Sequence, residues 1–562
     1  MRHHPNSRNP KYPPTVEQAG AIEAFMTGKT TKVTAFAGAG KTSTLVQMAD
    51  QRVGAGLYLA FNKSIAAEAR AEFLPSVDCR TTHSIALQAV RAGQKFDSAK
   101  LFTNLKPKQL AASLALKTKV VADTLSLTDV QQAHLLLSTI KGFCQSRSEE
   151  LTPEHVPQTG RLLGVGEQEK AEVISRIAED ARALWQRMIN HADIIPMGHD
   201  GYLKLWSLSD PILDHDYVLM DEAQDTNPAV MRVLERQSTQ VVYVGDQHQQ
   251  IYAWRGAVNA MAEASTTHET YLTQSFRFGS EIAAAATGIL RSLGEEKPIL
   301  GNPNMTGRIT ESGLTRTVLT RTNTMVVSEV LDALERGQKP HIIGGTDEMM
   351  KLVGSVYELL ARKPASHPDF FGFTSWDQVV AFSETDEGED LRTFVGLVVK
   401  YGHGGLYRAL KLTVADEKDA DIVLSTAHKS KGRQWPSVRI AEDFNGMQTQ
   451  DGNIPLEASR LFYVAITRAQ NHLVVGSELL AGFQRGKLPP KEITASVKRN
   501  LVPIVSQRPW ATTTSSPSLE LSKDIKKVEV SPRTPSTAKP NFIESKKAPK
   551  KGIFARLFGG KN

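Results

Sequence analysis

The stretch AFAGAGKTST at 35–44 limits what this chain can fold into more than any other feature. It follows the apolar run TKVTAF (31–36) and leads into LVQMADQRV, whose apolar residues recur at helical spacing. Gly38 and Gly40, with the small Ala37 and Ala39 between and before them, let backbone N–H groups approach a polyphosphate at a helix N-terminus, where the helix dipole also favours an anion. Lys41 is placed to reach the β- and γ-phosphates, and Thr42 to hold Mg²⁺. Ala35 stands where such loops usually begin with glycine.

A loop of this kind needs an acidic partner, and YVLMDEAQD (217–225) supplies one. A hydrophobic strand there ends in Asp221, suited to the metal, and the next carboxylate, Glu222, faces another way and is suited to polarise an attacking water. Further β-rich runs are GLYLAF (56–61), DCRTT (78–82), VVYVGD (241–246), TVLTRT (317–322), DIVLST (421–426) and HLVVG (472–476). Strands alternating with helical patterns predict parallel α/β sheets. The interval 96–197 reads as helical, from LKPKQLAASLALKTKVVADTL to EQEKAEVISRIAEDARALWQRMI, and 346–419 mixes a helical opening with HPDFFGFTSW and KYGHGGLYRAL.

Composition sets the remaining limits. At 40% hydrophobic and 23% charged residues, the chain is not a collagenous, coiled-coil or wholly disordered one. No apolar run reaches the ~18 residues of a membrane span and the N-terminus has no apolar signal core, so a cytoplasmic protein is expected, nucleoid-associated if bacterial. Two cysteines, Cys79 and Cys144, cannot build a disulfide framework. The net charge of +7 lies in residues 511–562, which carry 11 Lys/Arg against 4 Asp/Glu; the rest balances. Bulk charge therefore gives no evidence that the body binds DNA.

The motifs do. DEAQD and the segments around it resemble the UvrD/Rep family of superfamily 1 DNA helicases, in family order from about residue 15 to residue 475. VEQ (16–18) is similar to the Q motif, which puts Gln18 on the adenine edge. LAFNKSIAAEA (59–69) resembles motif Ia, TTHS (81–84) motif Ib, and GDQHQQIYAWRGA (245–257) motif III. LTQSFRFGSEI (272–282) resembles motif IV, VLTRTN (318–323) IVa, STAHKSKGRQW (425–435) V and EASRLFYVAITRA (457–469) VI.

The resemblance implies two RecA-like P-loop domains with ATP and Mg²⁺ in the cleft between them. The first would take 15–95 and 198–275, with the helical insertion 96–197. The second would take 276–345 and 420–510, with a short insertion 346–419; residues 1–14 and 511–562 would be flexible ends. It further implies that Gln249 senses the γ-phosphate, that Arg277 and Arg468 are arginine fingers, and that Phe61, His83, Trp254, Arg255, Arg321 and His428 line a single-strand groove. Aromatic rings suit such a groove, because every base has a face to stack.

Three positions depart from the family. Gln434 replaces its usual Glu in motif V, so the carboxylate contact to the sugar becomes an amide contact or is lost. Ser43 replaces an Arg that flanks adenine, and Phe276 replaces a Tyr and keeps the ring alone. HDGYLKLWSLSDP (199–211) is similar to the F-box DNA helicases; with roughly 14 residues before the Q motif and roughly 90 after motif VI, neither an F-box nor a fused nuclease is expected in this sequence.

The expected activity is ssDNA-stimulated ATP hydrolysis driving 3′–5′ translocation or unwinding at single-strand/duplex junctions, in replication, recombination or repair. The alternatives are a DNA-binding regulator with weak ATPase and a small-molecule phosphotransferase.

In the tail, Ile553, Phe554, Leu557 and Phe558 would share one face of a short helix, ringed by Lys546, Lys547, Lys550, Lys551 and Arg556. A phosphate-binding arm has no use for two phenylalanines, which favours a protein partner over DNA or an anionic membrane. Deleting 511–562 should leave ATPase activity and ssDNA affinity nearly intact and reduce recruitment in cells. A strong loss of ssDNA affinity with a flatter salt dependence would make the tail a DNA arm.

Overall fold

The computed structural model describes residues 13–93, 96–122, 125–157, 167–252, 259–363, 365–367, 370, 373–384, 389–445, 447–449 and 451–488. The chain divides into a unit Met1–Glu492 and a unit Ile493–Asn562; the second, with the tail discussed above, lies outside the described residues.

Fourteen strands are present among the described residues: β1 (Thr31–Ala35), β2 (Gly56–Ala60), β3 (Val77–Thr81), β4 (Lys119–Ala122), β5 (Leu125–Leu127), β6 (Tyr217–Met220), β7 (Gln240–Gly245), β8 (His268–Leu272), β9 (Arg308–Thr310), β10 (Thr317–Thr320), β11 (Pro340–Ile342), β12 (Ile422–Thr426), β13 (Trp435–Ile440) and β14 (Ala469–Val474). They form two six-stranded parallel sheets, β3-β2-β6-β7-β1-β8 and β11-β12-β10-β13-β14-β9, and one antiparallel hairpin, β4-β5. The fold is α/β, with two parallel lobes.

In the first lobe β2, β6 and β7 are buried along their whole length. Alternate residues serve opposite faces of the sheet, as the two-residue period of a strand requires. Tyr58, Tyr217, Leu219, Val242 and Val244 pack with Phe25, Leu45 and Met48. Leu57, Leu59, Val218, Met220, Val241 and Tyr243 join a core that runs on into Phe143, Trp185 and Trp206. The sheet's second face is thus covered by the helices between β3 and β6, chiefly Asp129–Cys144, Glu167–Ile189 and Gly198–Leu208.

The interval 96–197, read as helical, is mainly helical among the described residues, and the hairpin is the exception. Helix Pro107–Ser113 stops early, and Lys119–Ala122 and Leu125–Leu127 form β4 and β5. The sequence KVVA (119–122) has two β-branched residues in four, a composition that favours a strand over a helix. In the second lobe, helices Asp347–Leu360, Trp376–Ser383 and Glu389–Lys411 lie between β11 and β12, the last broken at Gly402 (φ 67°, ψ 154°). They share a core with helix Asn323–Glu335 through Val326, Val330, Val398 and Leu406.

Helix Gly198–Leu208 carries a fully buried lysine. Lys204 Nζ donates to the carbonyls of Ser146 (2.8 Å) and Ser148 (2.6 Å) and stands 4.3 Å from the centre of the Phe143 ring. Burial pulls its pKa from 10.5 to about 8. Between these values the unfolded chain holds more protons than the folded one, so this group makes stability rise with pH. Chemical denaturation should show the wild type gaining roughly 1–2 kcal/mol on Lys204→Met between pH 7.5 and 9.5. Parallel pH profiles would contradict the assignment.

Candidate active site

Strand order assembles the site. β6, β7 and β1 are neighbours, so the loops leaving their carboxyl ends lie side by side: Asp221 after β6, Asp246 after β7, and the glycine-rich loop after β1. Gly38 and Gly40 both have φ +76°. A Cβ on Gly38 would come within 2.6 Å of Arg277 Cβ and Ser275 Oγ, so only glycine fits. Ala37 and Ala39 are buried. Gly40 caps helix Lys41–Gln51 without a side-chain hydrogen bond, which leaves the first-turn N–H groups, Thr42 and Ser43 included, available to an anion.

Lys41 Nζ pairs with Glu222 Oε1 at 2.8 Å. Burial pulls this lysine's pKa down, but Glu222 and Asp221 more than offset that and hold it above its usual value. Burial likewise opposes the charge on Glu222, yet Lys41 and Lys431 keep its carboxyl far below the usual carboxylate range. Glu222 is one of few residues other than glycine in the left-handed region (φ 52°, ψ 41°), a conformation that costs about 1–2 kcal/mol and turns its carboxylate toward Lys41. Gln224 Nε2 holds Glu222 Oε2 at 2.5 Å while Gln224 Oε1 accepts the N–H of Asp246 (3.1 Å).

Asp221 accepts the Tyr58 hydroxyl (2.7 Å) and the N–H of Glu222 (2.8 Å). Burial and the neighbouring Glu222 raise its pKa, so this carboxylate would gain from a cation beside it.

The second lobe reaches into the same cleft. Arg468, fully buried, donates to Val464 O (2.9 Å) and Gln249 Oε1 (3.1 Å). Burial and the adjacent Arg277 lower its pKa to about 9. Arg277 donates from Nε to Gln434 Oε1 (2.8 Å) and from Nη1 to Thr467 O (3.0 Å), and burial lowers its pKa too. Lys431 donates to Asp225 and to Gln249 O (3.0 Å), 3.8 Å from Glu222 Oε2.

Gln18 and the half-exposed ring of Phe276 both approach Gly40. The Gln18 amide accepts from Thr15 N–H and donates to Thr44 Oγ1, each at 3.0 Å, which locks it at the rim of the loop.

Of the expected groove residues, Phe61 and His428 meet on Tyr252. The Phe61 and Tyr252 rings stack (6.1 Å, 12°), and Tyr252 donates its hydroxyl to His428 O (3.1 Å). His83 instead faces Asp200 (3.8 Å) and the edge of Tyr202, and Arg321 is tied to Asp443 through its N–H and Nε. Trp254 and Arg255 lie outside the described residues.

Sequence reasoning missed Tyr58, Gln224, Asp246, Tyr252 and Lys431 as parts of the site. Only Tyr252 had an outward signal, an aromatic beside the motif III glutamines.

Two parallel lobes with a glycine-rich loop, its lysine and a strand-end Asp-Glu in the cleft define a P-loop α/β protein of the two-lobe RecA-like class. The chain belongs to the UvrD/Rep helicase family: residues 15–268 match the UvrD/REP helicase N-terminal domain and residues 382–478 the UvrD-like helicase C-terminal domain.

Among curated proteins it is similar to F-box DNA helicase 1 of Gallus gallus (31% identity over 511 residues, 80% of this chain and 48% of that protein). It is also similar to F-box DNA helicase protein 1 of Schizosaccharomyces pombe (29% over 516 residues, 83% and 57%). DNA helicase II of Escherichia coli matches at 28% over 162 residues, 26% of this chain and 21% of that protein. The chain spans about half the length of the two F-box helicases. Lys41, Asp221, Glu222 and Gln249 fall in the first matched segment and His428, Gln434 and Arg468 in the second; Phe276, Arg277 and Arg321 lie between them. Among the described residues, no helix is long and apolar enough to cross a membrane.

Proposed function

We propose that this chain is an ssDNA-stimulated, ATP-dependent DNA helicase or translocase. The observation that carries the reading is the shared cleft: Lys41 and Glu222 of the first lobe face Arg277 and Arg468, both held by second-lobe groups, and Arg468 is bonded to Gln249. DNA as substrate and the 3′–5′ direction are inferred from the family, and single-strand/duplex junctions in replication, recombination or repair are the corresponding place of work.

In this reading the glycine-rich loop, Ala37 to Ser43, binds the triphosphate through backbone N–H groups, and Gln18 and Phe276 border the base. Gln434 serves by holding Arg277. Thr42 and Asp221 would hold Mg²⁺, and the raised proton affinity of Asp221 fits that task. The ion, when bound, neutralises charge on the phosphate oxygens.

Before nucleotide arrives, Lys41 and Glu222 neutralise each other. An incoming γ-phosphate competes for Lys41, so Glu222 loses its nearest cation and becomes more basic as a water needs polarising. Arg277 and Arg468 then supply charge to the transferring phosphoryl group, which ties hydrolysis to lobe closure. Phe61, Tyr252 and His428 form the stacking end of the strand groove, with His83, Trp254, Arg255 and Arg321 assigned to it by family position.

The direct experiment is unwinding of matched 3′-tailed and 5′-tailed duplexes, where the 3′-tailed substrate should be opened and the 5′-tailed one should not. Unwinding of neither, with no movement along ssDNA, would defeat the proposal.

Two sets of variants test the parts. Lys41→Ala should abolish hydrolysis, whereas Glu222→Gln should bind nucleotide normally and lose turnover by at least ~100-fold. Near wild-type rates in either folded variant would overturn the roles given to this pair. Tyr252→Ala should weaken ssDNA binding by about 1–3 kcal/mol and spare basal ATPase activity. Equal loss of basal and stimulated rates at unchanged DNA affinity would mark Tyr252 as a core residue.

A further inference from the structure

The hydroxyl of Tyr463 has no part in the roles above, yet it joins both lobes. Tyr463 lies fully buried in helix Leu456–Ile466 of the second lobe. It donates to Asp246 Oδ2 (3.0 Å) and accepts the backbone N–H of Ala37 (3.2 Å), the residue before the first positive-φ glycine of the loop. Burial and Asp246 push its proton affinity well above that of an ordinary phenol, so it remains a donor.

Asp246, also buried, accepts the His248 N–H on Oδ1 (3.0 Å) and Gln249 Nε2 on Oδ2 (2.7 Å). Gln249 Oε1 in turn accepts from Arg468 (3.1 Å). Tyr463 and Arg468 are five residues apart, on one helix and the turn that ends it. One helix end of the second lobe therefore grips Asp246 and Gln249 from two sides, and one of the two grips extends to the glycine-rich loop.

We propose that Tyr463 is a positioning residue whose hydroxyl sets the glycine-rich loop in register with Arg468. The inference rests on reading the cleft as an ATPase site. If the loop carries the triphosphate, the Ala37–Tyr463–Asp246 bonds fix where the γ-phosphate sits relative to the guanidinium on the same helix end. Phenylalanine would fill the same space and keep the packing, but it would leave the Ala37 N–H and one acceptor site of Asp246 buried without this partner.

The test compares the full-length wild type, Tyr463→Phe and a chain with 3-fluorotyrosine at 463. The Phe variant should keep the wild-type melting temperature within a few degrees and lose about 10-fold or more in kcat for ATP, with KM changed less than ~3-fold, because the bond aligns the transition state rather than the ground state. Amide exchange in a peptide containing Ala37 should accelerate. The 3-fluorotyrosine chain keeps the hydroxyl and should retain kcat and slow exchange.

Unchanged kcat and exchange in Tyr463→Phe overturn the proposal. So does a 3-fluorotyrosine chain as impaired as the Phe variant, or an equal fall of kcat and stability that tracks lost packing. A wild type without ATPase activity would defeat the reading of the cleft, while faster exchange at Ala37 in the Phe variant would still establish the bond.

Discussion

Parallel pairing of β6, β7 and β1 is the constraint from which the site follows. In a parallel sheet all strands leave at the same edge, so neighbouring strands place the residues after them within reach of one another. Asp221, Asp246 and the glycine-rich loop are more than 180 residues apart in the chain at their extremes, yet they share that edge because of strand order. The buried alternation of β2, β6 and β7 holds the order, since a slip of one residue would exchange the two cores that cover the sheet.

The cleft gathers Asp221, Glu222, Asp225 and Asp246 against Lys41, Lys431, Arg277 and Arg468 in a poorly solvated space. Such a set is stable only when each charge has a partner, and the partners cross between lobes: Lys431 on Asp225, Arg468 on Gln249, Tyr463 on Asp246. In the proposed reading, a polyanionic ligand that takes Lys41 from Glu222 disturbs this set, and through the cross-lobe bonds it reaches both lobes. Tyr252, stacked on Phe61, bonded to His428 and 5.6 Å below the Lys431 ammonium, extends the same set to the residues proposed for the strand groove.

What the sequence revealed was local chemistry. GAGKT between a strand and a helix, and Asp-Glu at the end of an apolar strand, are read from adjacent residues, and so were most of the core strands. The rest depends on partners far away in the chain. Tyr463 sits in LEASRLFYVAI, where an aromatic reads as core, and only the packing of this second-lobe helix against the first lobe brings its hydroxyl to Ala37. Asp246 and Gln224 look like loop polar groups until β6 and β7 are paired. Strand β8, HETYL, escaped notice because it is a partly exposed edge, and β13 because Pro436 interrupts it at a register shift. The hairpin β4-β5 escaped for the opposite reason, as leucines and alanines upstream extended the helical pattern past its end.

If one cleft serves both nucleotide and DNA, hydrolysis must respond to the strand. Steady-state ATP hydrolysis by the full-length chain, with and without saturating single-stranded DNA, tests it most directly. Coupling through Tyr252, Lys431 and Gln249 predicts a rate that rises by at least ~10-fold when the strand is bound and returns to the basal value when it is removed. Robust hydrolysis that is indifferent to single-stranded DNA would contradict the account, because the same residues would then be performing phosphate chemistry without a nucleic-acid groove attached to it.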